Sequence, residues 1–172
     1  MTDATSPSSY TFCGYLLIMK VSDTSSALKQ VRRTGWKFQR TFKTPVKNLR
    51  PFVATIISAG QSFHTACITI DQAVFEPKHW IDQLIRHSLP PRYQKGTSVT
   101  AVGQTEIHEL LHAVLSDCVD FLFVPAPKTF VIYVDHDEYA TFYANNRSNL
   151  NRVAEPLLTQ GFEEVSGYQR RL

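Results

Sequence analysis

The sequence is poor in the residues that announce familiar chemistries. It holds only three cysteines, Cys13, Cys67 and Cys118. They are odd in number, scattered and without CxxC spacing, which argues against a disulfide framework or a thiolate zinc site and fits a reducing compartment. None of its seven glycines falls in GxGxxG or GxxxxGK order, so the glycine-rich phosphate loops of nucleotide enzymes are not expected. The apolar run Tyr15 to Met19 is too short to cross a bilayer, and Met1 to Ser9 lacks the positive charge of a signal-peptide n-region. A soluble cytoplasmic protein with no membrane partner is the expectation. The last shortage is of acid: no carboxylate lies between Asp23 and Asp71, while Lys29, Arg32, Arg33, Lys37, Arg40, Lys43, Lys47 and Arg50 all fall there. Because the whole chain carries only +3, the remainder must be net acidic, and an electrically two-sided molecule is expected.

What is present describes a folded chain. With 172 residues, 43% of them hydrophobic and 19% charged, the chain suffices for one domain with a sizeable core. Residues 1–9, rich in Ser, Thr and Pro, are expected to be a flexible tail, leaving 10–172 as a single domain. Tyr10 to Val21 is expected to be a buried strand and Thr24 to Thr34 a helix. Trp36 to Thr44 alternates like a strand, with Arg40 out of pattern on the apolar side. The β-branched stretches Phe52 to Ile57 and Phe63 to Ile70 suggest a hairpin, with a helix as the fallback for the first. A helix is expected from Glu76 to Ser88, a short strand over Ser98 to Val102, and a helix from Gln104 to Phe121. Thr129 to Asp135 and Tyr139 to Ala144 read as a hairpin, Asn146 to Gln160 as a helix disturbed by Pro156, and Phe162 to Arg170 as a closing strand. The frequent hairpins favour α+β, a mostly antiparallel sheet with about four helices packed on it.

Within the Gln104 helix stands His108-Glu109-Leu110-Leu111-His112. Imidazoles one helical turn apart can bind one zinc ion, and the intervening Glu can act as general base on the metal-bound water. This HExxH pattern resembles that of the zincin metallohydrolases. The resemblance implies His108 and His112 as metal ligands, Glu109 as the catalytic base, zinc as cofactor and a peptidase or amidase activity. The HExxHxxGxxH extension is absent, Ser116 and Val119 standing at its Gly and His positions. A third ligand would have to come from Asp117, Asp120, His136, Asp137 or Glu138, with His136 chosen here. An ordinary amphipathic helix explains the pattern completely and is the favoured reading, Ile107, Leu110, Leu111, Val114, Leu115 and Cys118 forming its buried stripe and the histidines its flank. Cys118 on that stripe reads as buried and inert.

Two further features are chemical. The segment from Arg32 to Lys43 interleaves cations with rings, offering Arg32, Arg33, Trp36, Lys37, Arg40 and Lys43 as a binding surface for phosphates and unpaired bases, or for an acidic protein. The competing reading puts Trp36, Phe38 and Phe42 in the core and leaves the cations solvated. The hairpin tip Asp135-His136-Asp137-Glu138 forms an acidic loop through Asp135, Asp137 and Glu138, suited to a cation, a basic partner, or simply a polar turn. The expectation drawn from these features is a small intracellular binding or regulatory protein. By analogy of size and architecture it falls in the class of antitoxins and immunity proteins, using the basic-aromatic surface on one side and the acidic hairpin on the other. Zinc hydrolysis and nucleic-acid binding are the alternatives.

Overall fold

The computed structural model describes residues 20–23, 29, 31–59, 63–170 and 172. The expected tail, most of the strand at Tyr10 to Val21 and most of the helix at Thr24 to Thr34 lie outside them; residues 29 and 31–33 are helical. The elements in chain order are β1 (Lys20–Asp23), β2 (Phe38–Lys43), α1 (Leu49–Ala59), β3 (Thr65–Gln72), α2 (Lys78–Arg86), β4 (Thr97–Val102), α3 (Gln104–Ser116), β5 (Asp120–Ala126), β6 (Val131–Val134), β7 (Tyr139–Ala144) and α4 (Arg147–Thr159). Among the described residues the strands form one seven-stranded sheet, ordered β1-β4-β3-β5-β6-β7-β2, in which every paired neighbour is antiparallel. This is the expected α+β single domain.

The period-two alternation of the strands sorts the sheet into two faces. Ile68, Ile70, Val99, Phe121, Phe123, Ile132, Phe142 and Phe42 join the main core with Phe52, Ile56, Trp80, Leu110, Val114, Leu150 and Val153 from the helices. On the other face Leu122, Val131, Tyr133 and Tyr143 form a smaller cluster with Val31, against which Trp36, Val124 and Leu172 pack. Arg40, out of pattern in the sequence, faces the helical side and is held there by carboxylates.

Three expected elements differ. The residues Leu49 to Ala59 form α1, not the first arm of a hairpin. Leu49, Phe52, Val53, Ile56 and Ile57 are all buried, and their 3,4 spacing is a helical stripe that overrides the β-propensity of the individual side chains. The helix expected to run to Phe121 ends at Ser116. Cys118 adopts a left-handed conformation, φ 51°, and the chain reverses into β5, a strand the sequence reading lacked. Phe121, Leu122 and Phe123 are buried on both sides of the sheet, so β5 reads as an unbroken apolar run that periodicity cannot separate from a helix end. Pro125 is tolerated because β6 pairs β5 only across Phe121 to Phe123, leaving no strand on that side at Pro125 to need its missing N–H. Finally, Phe162 to Arg170 is not a strand. It meets β2 through an isolated antiparallel bridge between Phe42 and Glu164, then turns at Gly167, φ 80°.

Candidate anion-binding cleft

At the N-terminal end of β2, where residues 32–36 lead into the strand, a cleft of about 770 Å3 opens along the sheet edge. Arg32, Trp36, Lys37, Phe38, Gln39 and Arg40 line one wall, Arg147, Leu150 and Asn151 of α4 a second, and Tyr143, Gln169, Arg170 and Leu172 the remainder; among the described residues no Asp or Glu side chain contributes. A second cavity of about 320 Å3, lined by Arg32, Asp71, Tyr133, Arg170 and Leu172, shares Arg32, Arg170 and Leu172 with the first and lies beside it.

Carboxylates stand behind several of these cations and hold them in place. Arg40 donates Nε and Nη2 to the two oxygens of Glu164, each at 2.7 Å, and Nη1 to Glu155 at 2.7 Å. The hydrogen bond to Glu164 raises the Arg40 pKa, burial opposes it and Glu155 adds to the rise; Glu164 is held below the ordinary carboxylate range chiefly by its bond from Arg40. Arg32 donates to Asp71 at 2.9 Å. Asp71 also accepts from the Tyr133 hydroxyl at 2.8 Å and lies 2.7 Å from Lys95 Nζ. Burial pushes the Asp71 carboxyl up, but bonds from Lys95 and Tyr133 and the charges of Arg32 and Lys95 more than offset it, and it ends below its ordinary value. The Tyr133 phenol is driven up, first by burial and then by Asp71. Arg170 reaches Asp135 and lies over the Tyr133 ring, 4.3 Å from its centroid. Among the described residues Lys37, Arg33 and Arg147 have no carboxylate partner, and all three are exposed.

The rings are spoken for. Phe42 is wholly buried. Trp36 is half-buried, tilted against Tyr143 at 6.4 Å, covered by the Lys128 ammonium at 5.5 Å, and bonded through Nε1 to the Val31 carbonyl. Phe38 lies beneath the Arg147 guanidinium at 5.3 Å. Of the residues expected to bind, Arg32, Trp36, Lys37 and Arg40 thus meet in one cleft, Arg33 is exposed beyond its lining, and Lys43 points to another cavity, of about 630 Å3, with Lys47, Glu138 and Glu163. Arg147, Arg170 and Tyr143 were missed. Each is remote in sequence and is delivered by α4, the C-terminal segment and β7, and no local pattern marks them.

The acidic loop is not one surface. Asp135 is buried, with 2% of its surface exposed. It accepts from the Tyr139 N–H, the Tyr168 hydroxyl and Arg170, and so serves as a structural anchor. Asp137 and Glu138 are exposed. Thr44, just past the basic segment, donates its N–H to the Glu138 carbonyl at 2.7 Å, so the tip and the cleft lie at opposite ends of β2.

The HELLH residues lie elsewhere. The His108 and His112 rings are parallel within 11°, centroids 6.3 Å apart, on the flank of α3. Burial lowers the His112 pKa, and the charges of Arg50 and His108 lower it further. Glu109 and His108 line a shallow groove of about 350 Å3 between α1 and α3. Of the expected third ligands, Asp117, Asp120 and His136 are engaged in other work. Asp117 accepts from the backbone N–H of His79 and Trp80 at 3.1 and 2.7 Å, capping α2, and meets His79 Nδ1 at 2.6 Å. Asp120 accepts the His136 N–H and meets its Nδ1, each at 2.7 Å. Among the described residues no group of three or more His, Cys, Asp or Glu is placed to hold a metal, so His136 does not join His108 and His112. Cys118 stands past the helix end, half-buried, and not on the buried stripe; burial raises its thiol pKa, as do Glu138 and Asp117. Among the described residues no helix is long and apolar enough to cross a membrane. Comparison of the chain with protein-family models, curated proteins and solved structures returns no match.

Proposed function

We propose that this protein works by binding, and that the cleft at the start of β2 receives an acidic segment of a protein partner. One observation carries the reading: a cleft of about 770 Å3 lined by Arg32, Lys37, Arg40, Arg147 and Arg170 and, among the described residues, by no Asp or Glu side chain. Charge of one sign in a concave site attracts the opposite charge and rejects its own. The division of labour among the cations supports this. Arg32, Arg40 and Arg170 are fixed by internal carboxylates, whereas Lys37 and Arg147 remain available for a ligand.

A polypeptide is favoured over a single-stranded nucleic acid because the rings are occupied. Base stacking needs an open aromatic face, yet Trp36 is covered by Lys128 and Tyr143, and Phe38 by Arg147. Zinc hydrolysis has weaker support, since it requires a third ligand and an open coordination position beside His108 and His112.

The test is fluorescence anisotropy of a labelled glutamate-rich peptide and a labelled oligothymidylate, each titrated with the intact protein. The peptide should bind with an affinity that falls as salt rises from about 50 to about 200 mM, and Lys37→Glu should weaken it by about tenfold or more. Oligothymidylate binding that is tighter than peptide binding and lost in Lys37→Glu would replace the protein partner with a nucleic acid. Failure of both probes to bind would overturn the reading.

A further inference from the structure

The cleft runs along a strand edge that the described residues cover only by half. At its C-terminal half, β2 is paired on its outer side: Lys43 donates its N–H to the Glu163 carbonyl at 2.9 Å, and Val165 donates to the Thr41 carbonyl at 2.8 Å. Backbone groups alternate sides along a strand, so if Thr41 and Lys43 point outward, Gln39 does too, while Phe38 and Arg40 face β7. Beyond Val165 the chain turns at Gly167 and leaves the edge. The outward N–H and C=O of Gln39 meet no described residue. Lys37, Phe38, Gln39 and Arg40 line the cleft at that place.

Resting on the reading of the cleft as a site for an acidic partner, we infer that the partner segment binds in extended form as an added strand, hydrogen-bonded to the free edge of β2 at Gln39. Main-chain bonds to an exposed edge supply affinity that does not depend on sequence, and side chains on alternate positions supply choice. Here choice comes from charge. Lys37 at an open edge repels basic strands and discourages pairing with another copy of this chain, since the same cations would face each other. A strand bearing Asp or Glu at alternate positions turns that repulsion into attraction, placing carboxylates beside Lys37 and Arg147. The open edge from residue 37 to 40 spans about 13 Å at ~3.3 Å per residue, room for a segment of about four or five residues.

The experiment uses the intact protein and a labelled peptide of about eight residues alternating glutamate and valine, long enough to overreach that edge. It is compared with the same peptide N-methylated at every residue, which keeps every charge and removes all its main-chain donors. Hydrogen exchange of the Gln39 amide is followed in each complex. Strand addition predicts that the unmodified peptide binds and slows exchange at Gln39, and that N-methylation weakens binding by about tenfold or more, as expected for lost main-chain bonds. Gln39→Pro, which removes the outward N–H at an edge where proline is tolerated, should weaken binding by a similar factor while leaving the thermal unfolding cooperative. Equal binding of both peptides with unchanged Gln39 exchange would overturn strand addition and leave the anionic cleft standing. No binding of either would overturn both. A protein that dimerises and shows Gln39 protection without peptide would assign the edge to a second copy and overturn the inference.

Discussion

Removing the Arg40 side-chain clasp tests how the cleft is built. In Arg40→Met the aliphatic stem still packs near Phe38 and Phe42, and only the guanidinium is lost. The native group makes three charge-assisted bonds, each 2.7 Å long, to Glu155 and Glu164. Buried bonds of this kind are worth about 1.5–3 kcal/mol each, but Glu155 and Glu164 keep 59% and 32% of their side-chain surface, and exposed pairs fall to about 0.2–1 kcal/mol. The single bond to Glu155 belongs in the lower range and the bidentate bond to Glu164 above it, for a total loss of about 2 kcal/mol. In a domain of this size that lowers Tm by about 4–8 °C. Because Glu164 bridges to Phe42, the C-terminal segment should loosen first, and the Val165 amide should exchange faster than those of β7. Urea unfolding of Arg40→Met, Glu164→Gln and the double variant should give a coupling of about 1 kcal/mol. Additive effects with total loss below about 0.5 kcal/mol would show that the clasp does not fasten the segment to β2.

Other expected outcomes concern the histidine pairs. Asp117→Ala should uncap α2 and cost about 1–2 kcal/mol in urea unfolding, since the N–H groups of His79 and Trp80 both lose their acceptor. The hydrogen bond and charge of Asp120 raise the His136 pKa above 6.5. This pair therefore contributes its full stability below about 6.5, the unfolded value, and loses it as pH rises through the higher folded value. In an NMR titration the His136 midpoint should fall in Asp120→Asn; an unchanged midpoint would refute the pairing. The neutral preference of His112 acts in the opposite sense, stability being lost as pH falls below the ordinary histidine value. His112→Gln should reduce that acid-side loss in urea unfolding at pH 5 and 7, and an unchanged difference between the two would contradict it.

Much of the frame was legible because burial is periodic. Leu150, Val153 and Leu157 mark α4 and Phe38 and Phe42 mark β2, so those elements stand where their patterns put them. Where both faces are covered the pattern disappears, and β5 was read as the end of α3. Where propensity opposed periodicity, as in Val53, Ile56 and Ile57, the periodicity was the better guide because tertiary burial outweighs intrinsic preference. The site was half legible. Arg32, Trp36, Lys37 and Arg40 are neighbours in sequence and converge, but Arg147 arrives on α4 and Arg170 on the C-terminal segment, and both depend on topology. The acid that compensates the basic segment was invisible for the same reason: Asp71, Glu155 and Glu164 are distant in sequence and adjacent in space. HELLH shows the reverse. Its spacing brings His108 and His112 together, while two of the candidate third ligands do other work, Asp117 capping α2 and Asp120 anchoring His136.

The most direct measurement of the central claim is a charge exchange at the cleft, read by calorimetric titration of a glutamate-rich and a lysine-rich peptide into wild-type protein and Lys37→Glu/Arg147→Glu. An acidic partner at this cleft predicts that the wild type takes the glutamate-rich peptide alone and that the double variant loses it and gains the lysine-rich one. Unchanged affinity for the glutamate-rich peptide in a folded double variant would place acidic binding elsewhere on the molecule and contradict the account.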